Sequence, residues 1–591
     1  MKRHEHVTER RYTLRRLARY TGGSKFRLIV LILSGLLYGF CALGAPYVIG
    51  LTIDQMWSGG LNINLDRIGK LLVILVFLYI GASLFQWLLS TLSNGVSART
   101  VAALRRDAFN RLTDLPIADI DRHPHGDFQS RLLSDCDYII DGLSQVLIQF
   151  CSGLVMFVGA MVMMFILNAW VALAAILVTP LCFVVTALIN KHSRAKYRDQ
   201  SKIMGKLNDY AAEQISGHHL VRGFDHIERS DRAFNELNQE LYVAGQKAQF
   251  YSSLTNPGTR FVNNIAYVLV GVIACVVGLR GAITVGAIAA LLNYMQQFAK
   301  PVNEFSAVTS QFQNALAGAE RLFELIDRPI EDKREEMPNL VIHSGEVEMN
   351  QVTFSYEPNQ KLIEDLSLNV PAGQKIAIVG PTGAGKTTLV NLLMNFYELD
   401  GGDIAVDNQS IYDISRSSLR RSYGMVLQDS WLFSGTVHAN IAYGRPNATR
   451  EEVVKAAKLA RAHEMIQRLP HDYDTVLTNS AEALSAGERQ LLSIARVMLM
   501  NPKMLILDEA TSNIDTRTEQ LIQMNFSDLM KGNTSFVIAH RLSTIRDADV
   551  ILVMEDGAIV QQGKHDELVQ REGLYQTLYN SQFESLALKS S

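Results

Sequence analysis

Five stretches without a charged residue punctuate the first 300 positions: 28–53, 71–92, 142–190, 261–279 and 281–299. A helix of about 20 apolar residues crosses the hydrocarbon core of a bilayer. Four of the runs therefore predict one crossing each, and the longest, interrupted by the polar Asn168, predicts two. The expected spans are 28–53, 68–92, 142–166, 169–190, 261–279 and 281–299. Residues 1–27 hold nine basic side chains against Glu5 and Glu9, and positively charged flanks stay in the cytoplasm. The N-terminus is thus placed inside, and six crossings return the C-terminus to the same side. Within this leader, Tyr12 to Tyr20 interleaves arginines with Leu14, Leu17 and Ala18 in the manner of a helix lying along the inner surface.

The connections differ in kind. Those near Asn168 and Arg280 are short, whereas 93–141 and 191–260 are long and charged. Their helix-forming composition predicts that spans two to five extend well into the cytoplasm. Turning points are expected over 115–126 and 215–223, where a cytoplasmic domain would be met. The expected organisation is an N-terminal segment with a surface helix over 1–26, a membrane domain over 27–320, a linker over 321–341, a second, soluble domain over 342–581 and a tail over 582–591.

Composition narrows the classes. Lys and Arg number 56 against 59 Asp and Glu, a net charge of −3, which removes the basic footprint of a nucleic-acid binder. No nucleic-acid partner is expected. The five cysteines are scattered without a CxxC pair, so neither a disulfide framework nor a zinc site is indicated.

Beyond the membrane half, Ile376 to Val379 reads as a buried strand running into Gly380-Pro381-Thr382-Gly383-Ala384-Gly385-Lys386-Thr387-Thr388, followed by an apolar helix from near Leu389. This is the G-x-x-x-x-G-K-T phosphate loop in its strand-loop-helix setting. Its glycines let backbone N–H groups approach phosphate oxygens, Lys386 reaches the outer phosphates and Thr387 is placed to ligate Mg²⁺. A second strand, 504–507, ends in Asp508-Glu509. Asp508 is positioned to hold Mg²⁺, and Glu509 to activate a water against the γ-phosphate.

Tyr356, 380–388, Gln428, Leu484-Ser485-Ala486-Gly487-Glu488, Asp508-Glu509, Asp515 and His540 occur in the order of the nucleotide-binding domain of ABC transporters. The chain resembles an exporter-type half-transporter of that family from about Tyr12 to Ser581. The fold implied is an α-helical membrane domain of six spans with long cytoplasmic extensions, followed by an α/β P-loop ATPase domain. The resemblance implies that Tyr356 stacks on the adenine of ATP and that Gln428 joins Thr387 and Asp508 around Mg²⁺. It further implies that Glu509 is the catalytic base, that His540 contacts the γ-phosphate, and that Asp515 acts across a dimer interface. Ser485 and Gly487 would bind the γ-phosphate held by a second half-transporter.

Two departures stand out. The family's Leu-Ser-Gly-Gly-Gln is Leu-Ser-Ala-Gly-Glu here, and Thr478-Asn479 stands where Gly-Glu is common. With Lys386, Asp508, Glu509 and His540 intact, the chain resembles the catalytically intact member of a heterodimer, in preference to a homodimer. The implied activity is ATP-driven export of an amphipathic or hydrophobic drug, lipid or peptide through a bacterial cytoplasmic membrane. An importer of the same architecture and an ATP-gated channel or sensor are the alternatives. Aromatic and methionine residues such as Phe150, Met156, Phe157 and Tyr294 are candidates for an adaptable substrate pocket.

Overall fold

The computed structural model describes residues 2–58, 64–357, 361–427, 430–478, 484–508, 514–539 and 542–587. The chain forms two compact units, one of residues 1–113 and 124–328, the other of residues 114–123 and 329–591.

The first unit is helical. Helix α1 (Lys2–Thr21) precedes α2 (Lys25–Ser58) and α3 (Leu65–Thr113). The chain then visits the second unit as α4 (Ile117–Asp121) and returns with α5 (His125–Ser130). Helices α6 (Cys136–Ile148) and α7 (Leu154–Leu167) are joined by a π-helical turn, Gln149–Gly153. The break expected at Asn168 is an extended residue whose side chain accepts from the N–H groups of Trp170 and Val171, the N-cap chemistry that starts a helix. The helix so capped, α8 (Ala169–Ser216), is followed by α9 (His218–Gly223), α10 (Ile227–Ser253), α11 (Thr255–Leu279) and α12 (Val285–Ile326).

Among the described residues four helical stretches are long and apolar enough to cross a membrane: Lys25–Trp57, Leu65–Thr113, His125–Leu167 and Arg260–Leu279. An apolar stretch of α8, Ala169–Val178, is shorter. The apolar run from residue 281 enters its helix only at Val285, because Thr284 is the N-cap and accepts from Ala287 N–H. Asp54 of α2 strengthens that cap, accepting from Thr284 Oγ1 and Gly286 N–H, both at 2.7 Å. The linker expected from residue 321 starts later, since α12 continues to Ile326 with Leu322, Phe323 and Leu325 buried.

The second unit is α/β. Strands β1 (Val347–Phe354), β2 (Ile363–Val370), β4 (Gly401–Val406) and β5 (Gln409–Ser410) make an antiparallel sheet in the order β2-β1-β4-β5. Asp407 ties this sheet to the incoming linker. Its carboxylate accepts from the N–H groups of His343 (2.6 Å), Ser344 (3.0 Å), Gly345 (2.9 Å) and Glu346 (2.9 Å) and from the Ser344 hydroxyl (2.6 Å). Burial would raise this carboxyl, but those donors hold it well below its ordinary range.

The larger sheet runs β12-β11-β3-β10-β9-β6. Its strands are β3 (Lys375–Val379), β6 (Tyr423–Val426), β9 (Met504–Asp508), β10 (Thr534–Ile538), β11 (Val550–Glu555) and β12 (Ala558–Gly563), and only β12 is antiparallel to its neighbour. The burial of β3 and β9 on both faces agrees with their apolar runs, Ile376 to Val379 and Met504 to Leu507, and β10 is buried throughout, Thr534 and Ser535 included. Helix α13 (Lys386–Leu393) follows β3, and α14 (Arg416–Ser422) precedes β6. Between β6 and β9 lie β7 (Gly435–Thr436), α15 (Val437–Ala442), α16 (Arg450–Leu459), α17 (His463–Gln467), β8 (Val476–Leu477) and α18 (Ala486–Met500). Helices α19 (Thr516–Met530), α20 (Leu542–Arg546), α21 (His565–Gln570) and α22 (Leu574–Ala587) complete the unit.

Candidate functional site

Strands β6, β9, β10 and β3 pair in parallel, with Val426 opposite Leu507, Asp508 opposite Ile538 and Ile538 opposite Ile378. Their carboxyl ends therefore share one edge, where ligands of open α/β sheets bind. The phosphate loop leaves β3 at this edge, and Asp508 closes β9 beside it. Gln428, Glu509 and His540 follow β6, β9 and β10 within two residues and lie outside the described residues.

The loop itself is a product of its glycines. Gly383 and Gly385 hold φ values of +89° and +95°, a conformation costly to any residue with a Cβ. Gly385 is the N-cap, so the helix begins at Lys386, three residues earlier than its apolar residues suggest. The first N–H groups of α13 have no intrahelical acceptor and lie at the positive end of the helix dipole. Pro381, Thr382 and Thr387 are exposed, whereas Ala384 and Thr388 are buried.

Lys386 Nζ donates to the carbonyls of Gly380 at 2.7 Å and Pro381 at 2.8 Å, folding the cation across the loop. Burial pushes its pKa below the ordinary lysine value, while the Asp508 carboxylate opposes that shift. Thr387 and Asp508 supply the hard oxygen donors that Mg²⁺ prefers, and the glycine-lined turn with its one lysine suits polyphosphate.

Tyr356 brackets the loop. Its hydroxyl lies 3.2 Å from Thr388 Oγ1, and its ring stands edge-on to Phe354 (4.9 Å between centroids) and Tyr397 (5.0 Å). The Tyr397 hydroxyl in turn donates to Asp121 of α4 at 2.6 Å. Arg122 reaches the Tyr356 carbonyl at 3.5 Å, and Lys333 pairs with Asp114 at 2.7 Å. Asp121 and Arg122, within the turning point expected over 115–126, thus meet the aromatic cluster behind the phosphate loop. Tyr397 carries no motif, and only the tertiary fold reveals its place.

Ser485 is the N-cap of α18 and forms a capping box with Glu488. Its Oγ accepts from Glu488 N–H at 3.3 Å, and the Glu488 carboxylate accepts from Ser485 N–H at 2.8 Å. The carboxylate that replaces the family's amide therefore lies within the first turn. A Cβ at Gly487 would run into Thr518 Cγ2 and come within 2.9 Å of Ile514 Cγ2, so this glycine is demanded by packing of α18 on α19. Asp515 caps α19, accepting from Arg517 N–H (3.1 Å) and Thr518 N–H (3.0 Å), bonds that lower its pKa.

The first unit holds two adjoining cavities that share Gln149, Gly153, Pro301 and Val308. One, of about 670 Å³, is lined by Phe150, Leu154, Phe157 and Phe312. The other, of about 550 Å³, presents Gln86, Gln145, Lys300, Glu304 and Gln311. Gln149 sits in the π-helical turn and donates through its amide to Glu304. Charge counting over the apolar runs missed this polar wall, because Lys300 and Glu304 stand just beyond the run that ends at Ala299.

Comparison with known proteins agrees with this arrangement. A family model described as "ABC transporter transmembrane region" matches residues 28–302, and one described as "ABC transporter" matches residues 363–512. The uncharacterized ABC transporter ATP-binding protein YfiC of Bacillus subtilis (strain 168) is 38% identical over 575 residues, 97% of this chain and 94% of its own. The fatty acid ABC transporter ATP-binding/permease protein of Mycobacterium tuberculosis (strain CDC 1551 / Oshkosh) is 41% identical over 518 residues, 87% of this chain and 82% of its own. The solved structure of a bacterial Atm1-family ABC exporter with ATP bound aligns with a TM-score of 0.77 at 30% identity, covering 95% of this chain and 98% of that one. The chain belongs to the ABC transporter family, as an exporter-type half-transporter that joins a helical membrane domain to a P-loop ATPase and couples ATP hydrolysis to transport.

Proposed function

We propose that this chain exports a lipid or lipid-like amphiphile as one half of a two-subunit transporter in a bacterial cytoplasmic membrane. Six spans are inferred by adding α8 and α12 to the four stretches that meet the length and hydropathy measure, which leaves both termini in the cytoplasm. The paired cavities carry the substrate reading. Phe150, Leu154, Phe157 and Phe312 offer an apolar chamber, and the adjoining wall of Gln86, Gln145, Lys300 and Glu304 offers polar partners for a headgroup. Relatives named for fatty acids at 41% identity agree with this class.

In the proposed cycle the 380–388 loop and Lys386 hold the phosphates of ATP, and Tyr356 stacks on adenine. Thr387, Asp508 and Gln428 are the donors that would hold Mg²⁺, which when bound neutralises charge on the β- and γ-phosphates. Glu509 takes the proton of the attacking water and His540 orients that water. Ser485 and Gly487 meet the γ-phosphate held by the other subunit, so closure of the two ATPase domains accompanies ATP binding. The Ala486 and Glu488 departures favour a different chain as that partner, since they weaken the signature offered across the interface while this chain's own catalytic set is intact.

The test is reconstitution in lipid vesicles, alone and with a co-expressed half-transporter, reading Mg²⁺-ATPase and movement of a fluorescent fatty acid. ATP-dependent loss from the cytoplasmic side that disappears in Glu509→Gln supports the reading. Robust hydrolysis and export by the chain alone removes the heterodimer, and movement in the opposite direction removes export.

A further inference from the structure

From Arg11 to Arg27 the sequence holds six basic residues and no acid. The structure divides them. On one side of α1, Thr13, Leu17 and Thr21 are buried. On the same side, Arg16 pairs with Asp327 at 2.5 Å with its guanidinium 4.3 Å over the Phe323 ring, and Tyr20 donates to Asp107 at 2.6 Å. These contacts fasten α1 to the cytoplasmic ends of α12 and α3, and they engage Asp107 and Asp327 on the inner side. The opposite side exposes Arg11, Arg15 and Arg19 at four-residue spacing, with Tyr12 and Leu14 at its margins.

What adjoins this face identifies its partner. Helix α2 starts at Lys25, and its exposed apolar surface begins at once with Phe26, 78% exposed, continuing through Ile29, Ile32 and Leu33. A stripe of arginines directly before a lipid-facing surface lies at headgroup depth, where long basic side chains keep their stems on apolar surface and their charge in the polar layer. We infer that the outer face of α1 is a binding site for anionic phospholipid headgroups of the inner leaflet, held by Arg11, Arg15 and Arg19. The inference rests on reading α2 as a membrane span. Because α1 is pinned to α12 through Arg16, the lipid is held on the far side of α1 from the helix that leads into the ATPase domain.

The experiment uses the full-length protein exchanged into equal parts of phosphatidylglycerol and phosphatidylcholine, with retained lipids counted by native mass spectrometry. A basic residue near an anionic surface contributes ~5-fold in binding, so replacing three should weaken retention on the order of 100-fold. The wild type is expected to retain phosphatidylglycerol preferentially, R11Q/R15Q/R19Q to lose that preference, and R11K/R15K/R19K to keep it. ATPase in pure phosphatidylcholine should be unchanged in both variants, which separates loss of the site from loss of the fold. Equal retention of both lipids by the wild type, or a preference that survives in the glutamine variant or vanishes in the lysine variant, overturns the inference. Flotation of all three proteins with vesicles reports separately on the spanning helices, so failure of that reading is distinguishable.

Discussion

Glu488→Gln isolates one charge at the signature helix. The capping box tolerates either residue at its third helical position, so the substitution keeps the bond to Ser485 N–H and removes only the negative charge. In the wild type a carboxylate oxygen lies 2.8 Å from Ser485 N. A phosphate oxygen accepting from the Ser485 hydroxyl would stand within about 6 Å of that carboxylate, given hydrogen bonds of ~2.7 Å. Two unit charges at that distance repel by ~0.7 kcal/mol in water and by ~2.8 kcal/mol at the effective dielectric of a protein surface. Relief of ~1–2 kcal/mol should lower the half-saturating ATP concentration about 5- to 30-fold. The assay is ATP-dependent hydrolysis by the assembled dimer at low and high ionic strength, with Glu488→Ala as the variant that also loses the box. The gain should shrink as salt screens the charge. Identical ATP dependence in wild type and Glu488→Gln at low salt would refute the argument, as would a gain indifferent to salt.

Tyr397→Phe removes the hydroxyl bonded to Asp121 and should cost about 1 kcal/mol, leaving ATP affinity intact while lowering substrate moved per ATP hydrolysed in vesicles. Gly487→Ala should destabilise the ATPase unit by about 1–3 kcal/mol through overpacking, seen as a lower melting temperature, and Thr518→Ala in the same chain should recover part of it. Asp407→Asn replaces a charged acceptor of four N–H groups and should cost about 2–4 kcal/mol. For Asp407 the folded pKa is depressed, so its contribution is complete above the unfolded value of about 3.9 and is lost as pH falls below it toward the folded pKa. The wild-type melting temperature should therefore fall more steeply on acidification below about pH 4 than that of Asp407→Asn.

Much of this was legible because it is written in local pattern. The phosphate loop, the strands 376–379 and 504–507 and the break at Asn168 each depend on residues within a few positions of one another. Helix ends that depend on caps were less so: Gly385 starts α13 before its apolar residues begin, and Thr284 delays α12. What sequence could not reveal depends on distant partners. Tyr397 finds Asp121 across 276 positions, and Glu304 finds Gln149 across 155. Neither pair has a spacing or composition that distinguishes it from ordinary surface residues. Within this chain, the demand for glycine at 487 likewise arises from Thr518 and Ile514.

Residues 114–123 belong by packing to the ATPase unit but are made long before it. At a synthesis rate of roughly 5–20 residues per second, Asp121 leaves the ribosome about 14–55 s before the Tyr397 that it will bond. During that interval the segment lacks its seat in the ATPase unit, and Pro116 and Ile117, half-buried in the folded chain, stay uncovered. The same arrangement bears on dissection of the protein. A fragment beginning at Pro329 would fold without the acceptor of the Glu331 N–H bond, which is the Asp114 carbonyl, and without the carboxylates that pair with Lys333 and Tyr397. An isolated ATPase domain of this transporter therefore lacks partners of its Tyr356, Tyr397 and Lys333 surface, and a peptide of residues 114–123 carries the groups it lacks.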